Sequence, residues 1–324
     1  MSLSRRRFMV FSAAAATGAT FFDAPRILRA AGLNLADDPW GGFPLGAQSY
    51  SLREFNTVEC IRHIQGMGLH FVEFFAKHLD PAASDEQIAE TQKLLKSADI
   101  RISGHGVHGF TKDHEKNKKL FDFAKKIGVK VITANPEHDS FDSLEKLVAE
   151  YDIKIAIHNH GPGALYDKID SVVKAVEGRH KWIGACVDTG HFLRSGEDPV
   201  KAVRELGPRV FAAHIKDDVE LGRGSKNVVI GKGKLDVVGL FKALRQIKFP
   251  ADGSLSLEYE ANPQNPIDDM KACLVVAKEA IAKSASDGVA EPHQLQQLVR
   301  RVAGKWVSDT YRRRPMILPV VVEV

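Results

Sequence analysis

The sequence predicts a single (β/α)8 TIM barrel, and three observations carry that prediction. Eight short apolar runs alternate with eight stretches of helical periodicity between Leu45 and Ile281. Four of the later runs lead directly into a side chain that can bind a metal: His158, Asp188, His214 and Glu258. The first run is not followed by the glycine-rich phosphate turn that a doubly wound open sheet would carry. Eight such units need about 250 residues, which the 324-residue chain supplies as one domain.

Each element has its own signal. Leu45 to Tyr50 is the first extended run, after a linker at 32–44 marked by Pro39, Gly41, Gly42 and Pro44. Val58, Ile61 and Ile64 recur at helical spacing over Thr57 to Met67, and Gly68 closes that helix. Leu69 to Phe75 is the second run. Ser84-Asp85-Glu86 opens the next helix, with Gln87 placed as a capping-box partner. Ile100 to Gly104 is the third run and leads to His105 and His108. A helix over Glu115 to Ile127 stops at Gly128. Val129 to Ala134 is the fourth run, closed by Asn135-Pro136. A helix over Phe141 to Tyr151 precedes the fifth run, Ile153 to Ile157. A helix from about Ile169 to Val176 precedes the sixth, Trp182 to Val187. Pro199 opens a helix through Leu206 before the seventh run, Val210 to Ala213. A helix over Leu235 to Ile247 precedes the eighth, Ser254 to Leu257, and a helix over Asp268 to Ile281 completes the set. Gly231-Lys232-Gly233-Lys234 has no P-loop pattern around it and reads as a surface turn.

The ends of the chain differ from this body. The net charge is +4, yet residues 32–283 hold 34 basic and 36 acidic side chains. A near-neutral body lacks the electrostatic footprint of a nucleic-acid binder. Residues 1–31 read as a targeting segment: Ser4-Arg5-Arg6-Arg7-Phe8-Met9 resembles a twin-arginine export signal and precedes an Ala-rich apolar stretch to Phe22. That stretch is short and interrupted by Gly18, so no stable membrane span is expected. A periplasmic or secreted destination follows. Changing Arg5 and Arg6 to Lys is expected to hold the protein in the cytoplasm while barely altering the purified barrel's activity. Fractionation checks this, and undiminished delivery of the double variant would remove the reading. Residues 284–324 form a basic, then apolar, tail that does not follow the barrel period. The three cysteines, Cys60, Cys186 and Cys273, are too few for a disulfide framework. The sequence leaves the oligomeric state open.

Parallel strands that all end in His, Asp or Glu bring those groups to one rim of the barrel, the C-terminal face where barrel enzymes keep their chemistry. Mixed carboxylate and imidazole donors there describe a divalent-metal site. Around it, Glu260 shares a strand face with Glu258, and His160 shares one with His158. His191 follows Asp188 by three residues, Lys216 follows His214 by two, Glu73 ends the second run, and His105 and His108 flank Gly106 at the third.

Together the Asp188-x-x-His191 pattern, the run His214-Ile215-Lys216-Asp217 and the strand-end Glu258 resemble the xylose-isomerase-like superfamily, often called sugar phosphate isomerases/epimerases. The resemblance covers about residues 43–283. It implies a metal held by the ends of strands five to eight, here His158, Asp188, His214 and Glu258. The strand-five position departs from the epimerase pattern, offering His where that branch has a Glu that moves protons. The activity implied is isomerisation or epimerisation of a sugar or keto-sugar through an enediolate, with Glu258 as base. His160 or His191 is the expected second proton carrier, and Lys216 is expected to steady an oxyanion. Glu73, His105, His108 and Glu260 are expected substrate contacts. Mn2+ or Mg2+ suits the carboxylates, and two imidazoles leave Co2+ and Zn2+ open. Loss of a β-substituent from the same intermediate would make the protein a lyase or dehydratase on a keto-sugar, keto-glycoside or keto-polyol. An endonuclease IV-like nuclease and a non-catalytic sugar-binding protein are the remaining readings. The first is opposed by the near-neutral body, the second by the complete ligand set.

Overall fold

The computed structural model describes residues 39–286. The leader at 1–31 and nearly all of the tail at 284–324 lie outside them. Within the described residues the barrel strands are β1 (Leu45–Gln48), β2 (Phe71–Phe74), β3 (Arg101–Phe110), β4 (Val131–Pro136), β5 (Lys154–His158), β6 (Ile183–Asp188), β7 (Val210–Ile215) and β10 (Ser254–Leu257). They close in the order β1-β10-β7-β6-β5-β4-β3-β2, every pairing parallel. The (β/α)8 prediction therefore holds. A small antiparallel pair, β8 (Asp217–Asp218) with β9 (Asn227–Val228), sits outside the barrel.

The outer helices form where the apolar spacing placed them: α1 (Thr57–Gly66), α2 (Asp85–Ser97), α3 (His114–Ile127), α4 (Phe141–Tyr151), α5 (Ile169–Val176), α7 (Pro199–Leu206), α8 (Val237–Gln246) and α9 (Ile267–Ser286). Their starts are set by short polar side chains. Asn56 and Glu59 make a reciprocal capping box on α1, and Ser84 and Gln87 make the one expected on α2. Gly128 ends α3 at φ 80°, where an L side chain would be strained. The inward sides of these helices bury Ile61, Ile64, Phe121, Leu144, Leu147, Leu240 and Leu244 against the strands. At the N-terminal end of the barrel, Lys154 lies almost fully buried, its ammonium 2.7 Å from Asp252 and 5.2 Å from the Trp182 ring.

Two local features depart from the sequence reading. A short helix, α6 (Thr189–Arg194), starts at the end of β6. Strand β3 runs six residues beyond Gly104, with a break in register that sets His105 opposite Ile132 but His108 opposite Ala134. The Gly231–Lys234 turn wraps the chain's own Asp217: the N–H groups of Gly231, Gly233 and Leu235 donate to its carboxylate at 2.8–2.9 Å. A Cβ at Gly233 would sit 2.3 Å from that carboxylate, so only glycine permits the wrap.

Candidate metal centre

Each parallel strand delivers its last inward side chain to the same rim. Ligand atoms of His158, Asp188, His214 and Glu258 lie within 4.8 Å of one another, and all four residues are buried. His158 Nε2 is 3.0 Å from His214 Nδ1 and 3.2 Å from Asp188 Oδ2. His214 Nδ1 is 3.0 Å from Glu258 Oε2. The register explains the convergence, because His158 pairs with Cys186 while Asp188 pairs with His214, so β5, β6 and β7 end at neighbouring levels.

Asp188 serves two elements. Its Oδ1 accepts the N–H of His191 at 2.8 Å and caps α6, while its Oδ2 faces the cluster. Asn159 fixes the adjoining backbone, donating to the Asp188 carbonyl at 2.9 Å and accepting its N–H at 2.7 Å. His214 is oriented from below. Its Nε2 lies 3.0 Å from both oxygens of Glu73, which leaves Nδ1 to point into the cluster. Glu73 is fully buried and also accepts from Thr133 at 2.6 Å, Ser254 at 2.9 Å and Ser256 at 3.0 Å. Sequence reasoning expected a substrate contact from Glu73. The structure commits both of its oxygens to protein partners under the metal cluster. The serines of β10 carried a legible signal: Ser254 and Ser256 are small hydroxyls alternating on the inward face of a strand.

Lys216 is the other buried charge. Its ammonium is 3.0 Å from Asp188 Oδ2 and 2.9 Å from Glu258 Oε2, and it donates to Glu260 Oε1. Burial alone would lower its pKa. Asp188, Glu258 and Glu260 reverse that and hold it well above the ordinary lysine value. Burial likewise pushes the Asp188 and Glu258 carboxyls up. Lys216 with the neighbouring histidines outweighs this and holds both below their ordinary values. His158 is lowered by burial, whereas the carboxylates around His214 raise it despite burial.

His160 and His191 border the cluster. His160 Nδ1 is 3.4 Å from His158 Nδ1, and the His160 and His191 rings lie 5.3 Å apart. Burial brings His160 down to about 4 and His191 to about 3, so both are neutral near pH 7. His105 and His108 stack on each other 4.9 Å apart, with His105 Nδ1 2.7 Å from His108 Nε2. His105 is buried, and its other nitrogen is taken by the Leu79 carbonyl at 2.8 Å. That leaves His108, half-buried, as the more open member of the pair.

The donors fit a divalent cation. Two carboxylates and two imidazoles face one point, and Glu258 Oε2 is buried without a well-aligned hydrogen bond although His214 and Lys216 stand at contact distance. Cys186 also lies near His158 and His214, but burial pushes its thiol up to about 11, so the carboxylate-bearing set is the better cation nest.

Comparison with known proteins finds matches to two family models. Residues 267–324 match a family model described as ribonuclease J C-terminal domain, and 60 residues are 45% identical to ribonuclease J of Mycolicibacterium smegmatis, covering 18% of this chain and 11% of that protein. The chain is 26% identical over 204 residues to inosose dehydratase of Clostridium botulinum, covering 52% of this chain and 65% of that one. The chain thus spans about a tenth of the first relative and somewhat under two thirds of the second. A crystal structure of an uncharacterised protein from Parabacteroides distasonis superposes with TM-score 0.59 at 28% identity, over 74% of this chain and 99% of the other. A D-tagatose 3-epimerase-like protein superposes with TM-score 0.61 at 18% identity, over 75% and 98%. Residues 61–277, two thirds of the sequence, match the family model described as xylose isomerase-like TIM barrel. The chain belongs to the xylose isomerase-like TIM barrel family.

Proposed function

We propose that this protein is a divalent-metal-dependent enzyme that takes the proton beside the carbonyl of a keto-sugar or keto-polyol and completes the reaction by β-elimination. The observation that carries this reading is the contact between Lys216 and Glu258, a fully buried ammonium 2.9 Å from a buried carboxylate. Glu258 removes the proton, and the electron pair forms the enolate. When the β carbon–oxygen bond breaks, the departing oxygen takes a proton from Lys216. The proton held by Glu258 then returns to Lys216 across their contact, restoring both groups. One base and one neighbouring acid suffice for this sequence.

Epimerisation asks for a second base on the opposite face of the substrate. Strand five supplies His158 where the epimerase pattern has a carboxylate, and Glu73 is held by His214, Thr133, Ser254 and Ser256. The likeness to inosose dehydratases supports elimination as well. A bound cation would supply Lewis-acid polarisation of the carbonyl, and Mn2+ or Mg2+ suits the carboxylates while the imidazoles also accept Co2+ or Zn2+. Isomerisation or epimerisation is the second reading, favoured by His160 and His191 beside His158.

The test incubates metal-loaded protein in D2O with keto-sugars and keto-glycosides, read by NMR and mass spectrometry. Elimination is expected to release a product lighter by one water or one aglycone, with deuterium entering beside the carbonyl. A product of unchanged mass moves the assignment to isomerase, and a product formed without exchange points to a hydride shift. We further propose periplasmic delivery through the twin-arginine leader. No helix of the described residues is long and apolar enough to cross a membrane.

A further inference from the structure

The mouth of the barrel has two tiers. The inner tier is buried and carries Gln48, Glu73, His158 and Glu258, at the ends of β1, β2, β5 and β10. Gln48 pairs with Glu73 across the sheet. Two residues beyond each of these stand Tyr50, Phe75, His160 and Glu260, past the strand ends, with Tyr50 in the short 3-10 turn Ser49–Leu52, and each is only half-buried or exposed. The outer tier is chemically divided. His160 and Glu260 are polar, whereas Tyr50 and Phe75 form an aromatic pair with ring centroids 5.3 Å apart at 88°.

This pair is held in place and joined to the metal cluster. The Arg53 guanidinium lies 4.7 Å over the Tyr50 ring, donates to the Tyr50 carbonyl at 3.1 Å and donates to the Glu260 carbonyl at 2.9 Å. The Glu260 carboxylate in turn accepts from Lys216. Ser49 Oγ accepts the Phe75 N–H at 3.0 Å, tying the two aromatic segments together. Tyr50 nonetheless keeps 39% of its surface open, as does Val107 within β3. Fixed aromatic surface beside a polar centre offers stacking area that loses little conformational freedom on binding.

Resting on the keto-sugar reading above, we infer that Tyr50 and Phe75 form an outer subsite for a second ring attached to the sugar, so that the substrate is a glycoside rather than a free monosaccharide. The inner tier takes the reacting sugar, and the ring on the far side of its glycosidic oxygen lies on the aromatic pair. Aryl groups and pyranoses share the flat apolar face that such a platform recognises.

The experiment measures binding of methyl β-glucoside, phenyl β-glucoside and cellobiose to the metal-loaded full-length protein by saturation-transfer NMR and calorimetry. The two-ring probes are expected to bind about 2- to 10-fold more tightly than the methyl glucoside. Tyr50→Ala is expected to bring them down to the methyl glucoside's affinity, while Tyr50→Phe keeps the advantage, and thermal melts verify that both variants fold. A gain confined to phenyl glucoside assigns the platform to aromatic aglycones, and a gain for both probes assigns it to rings generally. Equal affinity of all three probes, or an advantage that survives Tyr50→Ala and Phe75→Leu alike, overturns the subsite and leaves the sugar reading standing. Binding of none of the probes overturns the subsite, and turnover of keto-sugars in D2O decides the sugar reading separately.

Discussion

Glu258→Gln is expected to abolish solvent deuterium exchange beside the substrate carbonyl and to weaken metal retention at the same time. General base catalysis alone accounts for roughly 10²–10⁴-fold in rate, and replacing a carboxylate ligand by a neutral amide adds to that loss. The two effects come apart because they are read differently. Metal content after dialysis reports the ligand role, and exchange at saturating metal reports the base role. Glu258 Oε2 is 3.0 Å from His214 Nδ1, so the amide also sets a different hydrogen-bonding group against the imidazole. Exchange that persists at the parent rate in the fully metal-loaded variant would move the base role to His160 or His191, the imidazoles that border His158.

Lys216→Met is expected to produce the largest loss of stability in the metal-free protein. The side chain is fully buried with Asp188 and Glu258 within 3.0 Å and Glu260 as a third partner. Methionine retains the apolar stem of the side chain as far as Cε but leaves those carboxylates facing one another without the ammonium. Breaking a buried ion pair by removing one partner costs about 3–5 kcal/mol, a melting temperature lower by roughly 6–20 °C for a domain of this size. Because Lys216 is raised above its ordinary value, its contribution is present through neutral pH and is lost only as pH rises through that raised value. Asp188 and Glu258 are lowered, so theirs is present above the ordinary carboxylate range and fades as pH falls through their lowered values. Saturating divalent metal should recover part of the loss, because a second cation reaches the same oxygens. A metal-free variant that melts with the parent would show that the three carboxylates do not depend on Lys216.

The barrel was legible in the sequence because it rests on local rules. Apolar runs with period two, helices with period 3.6 and caps such as Asn56 and Ser84 are statements about neighbouring residues. A parallel closed sheet then sends every strand end to one face. That much places a His, Asp or Glu from each of strands five to eight at one rim; the family resemblance is what singles out His158 over His160 and Glu258 over Glu260, and the four do converge. The role of Glu73 depended on something no local rule contains. Its contacts with His214, Thr133 and Ser254 span 141, 60 and 181 residues of chain, and they follow from barrel closure and the register of β2 and β10. Lys216 is similar: its place after a strand points to an oxyanion contact in the pocket, but not to the Asp188 and Glu258 carboxylates that the ends of β6 and β10 bring around it. Helix α6 escaped notice because six residues carry too little apolar periodicity to register, and its N-cap, Asp188, is also a cluster residue. Residue patterns set which strands exist and which ligand types stand at their ends. Which buried charges neutralise one another is a property of the closed barrel, because charge pairing depends on distances of about 3 Å between residues far apart in the chain, and closure and register alone set those distances.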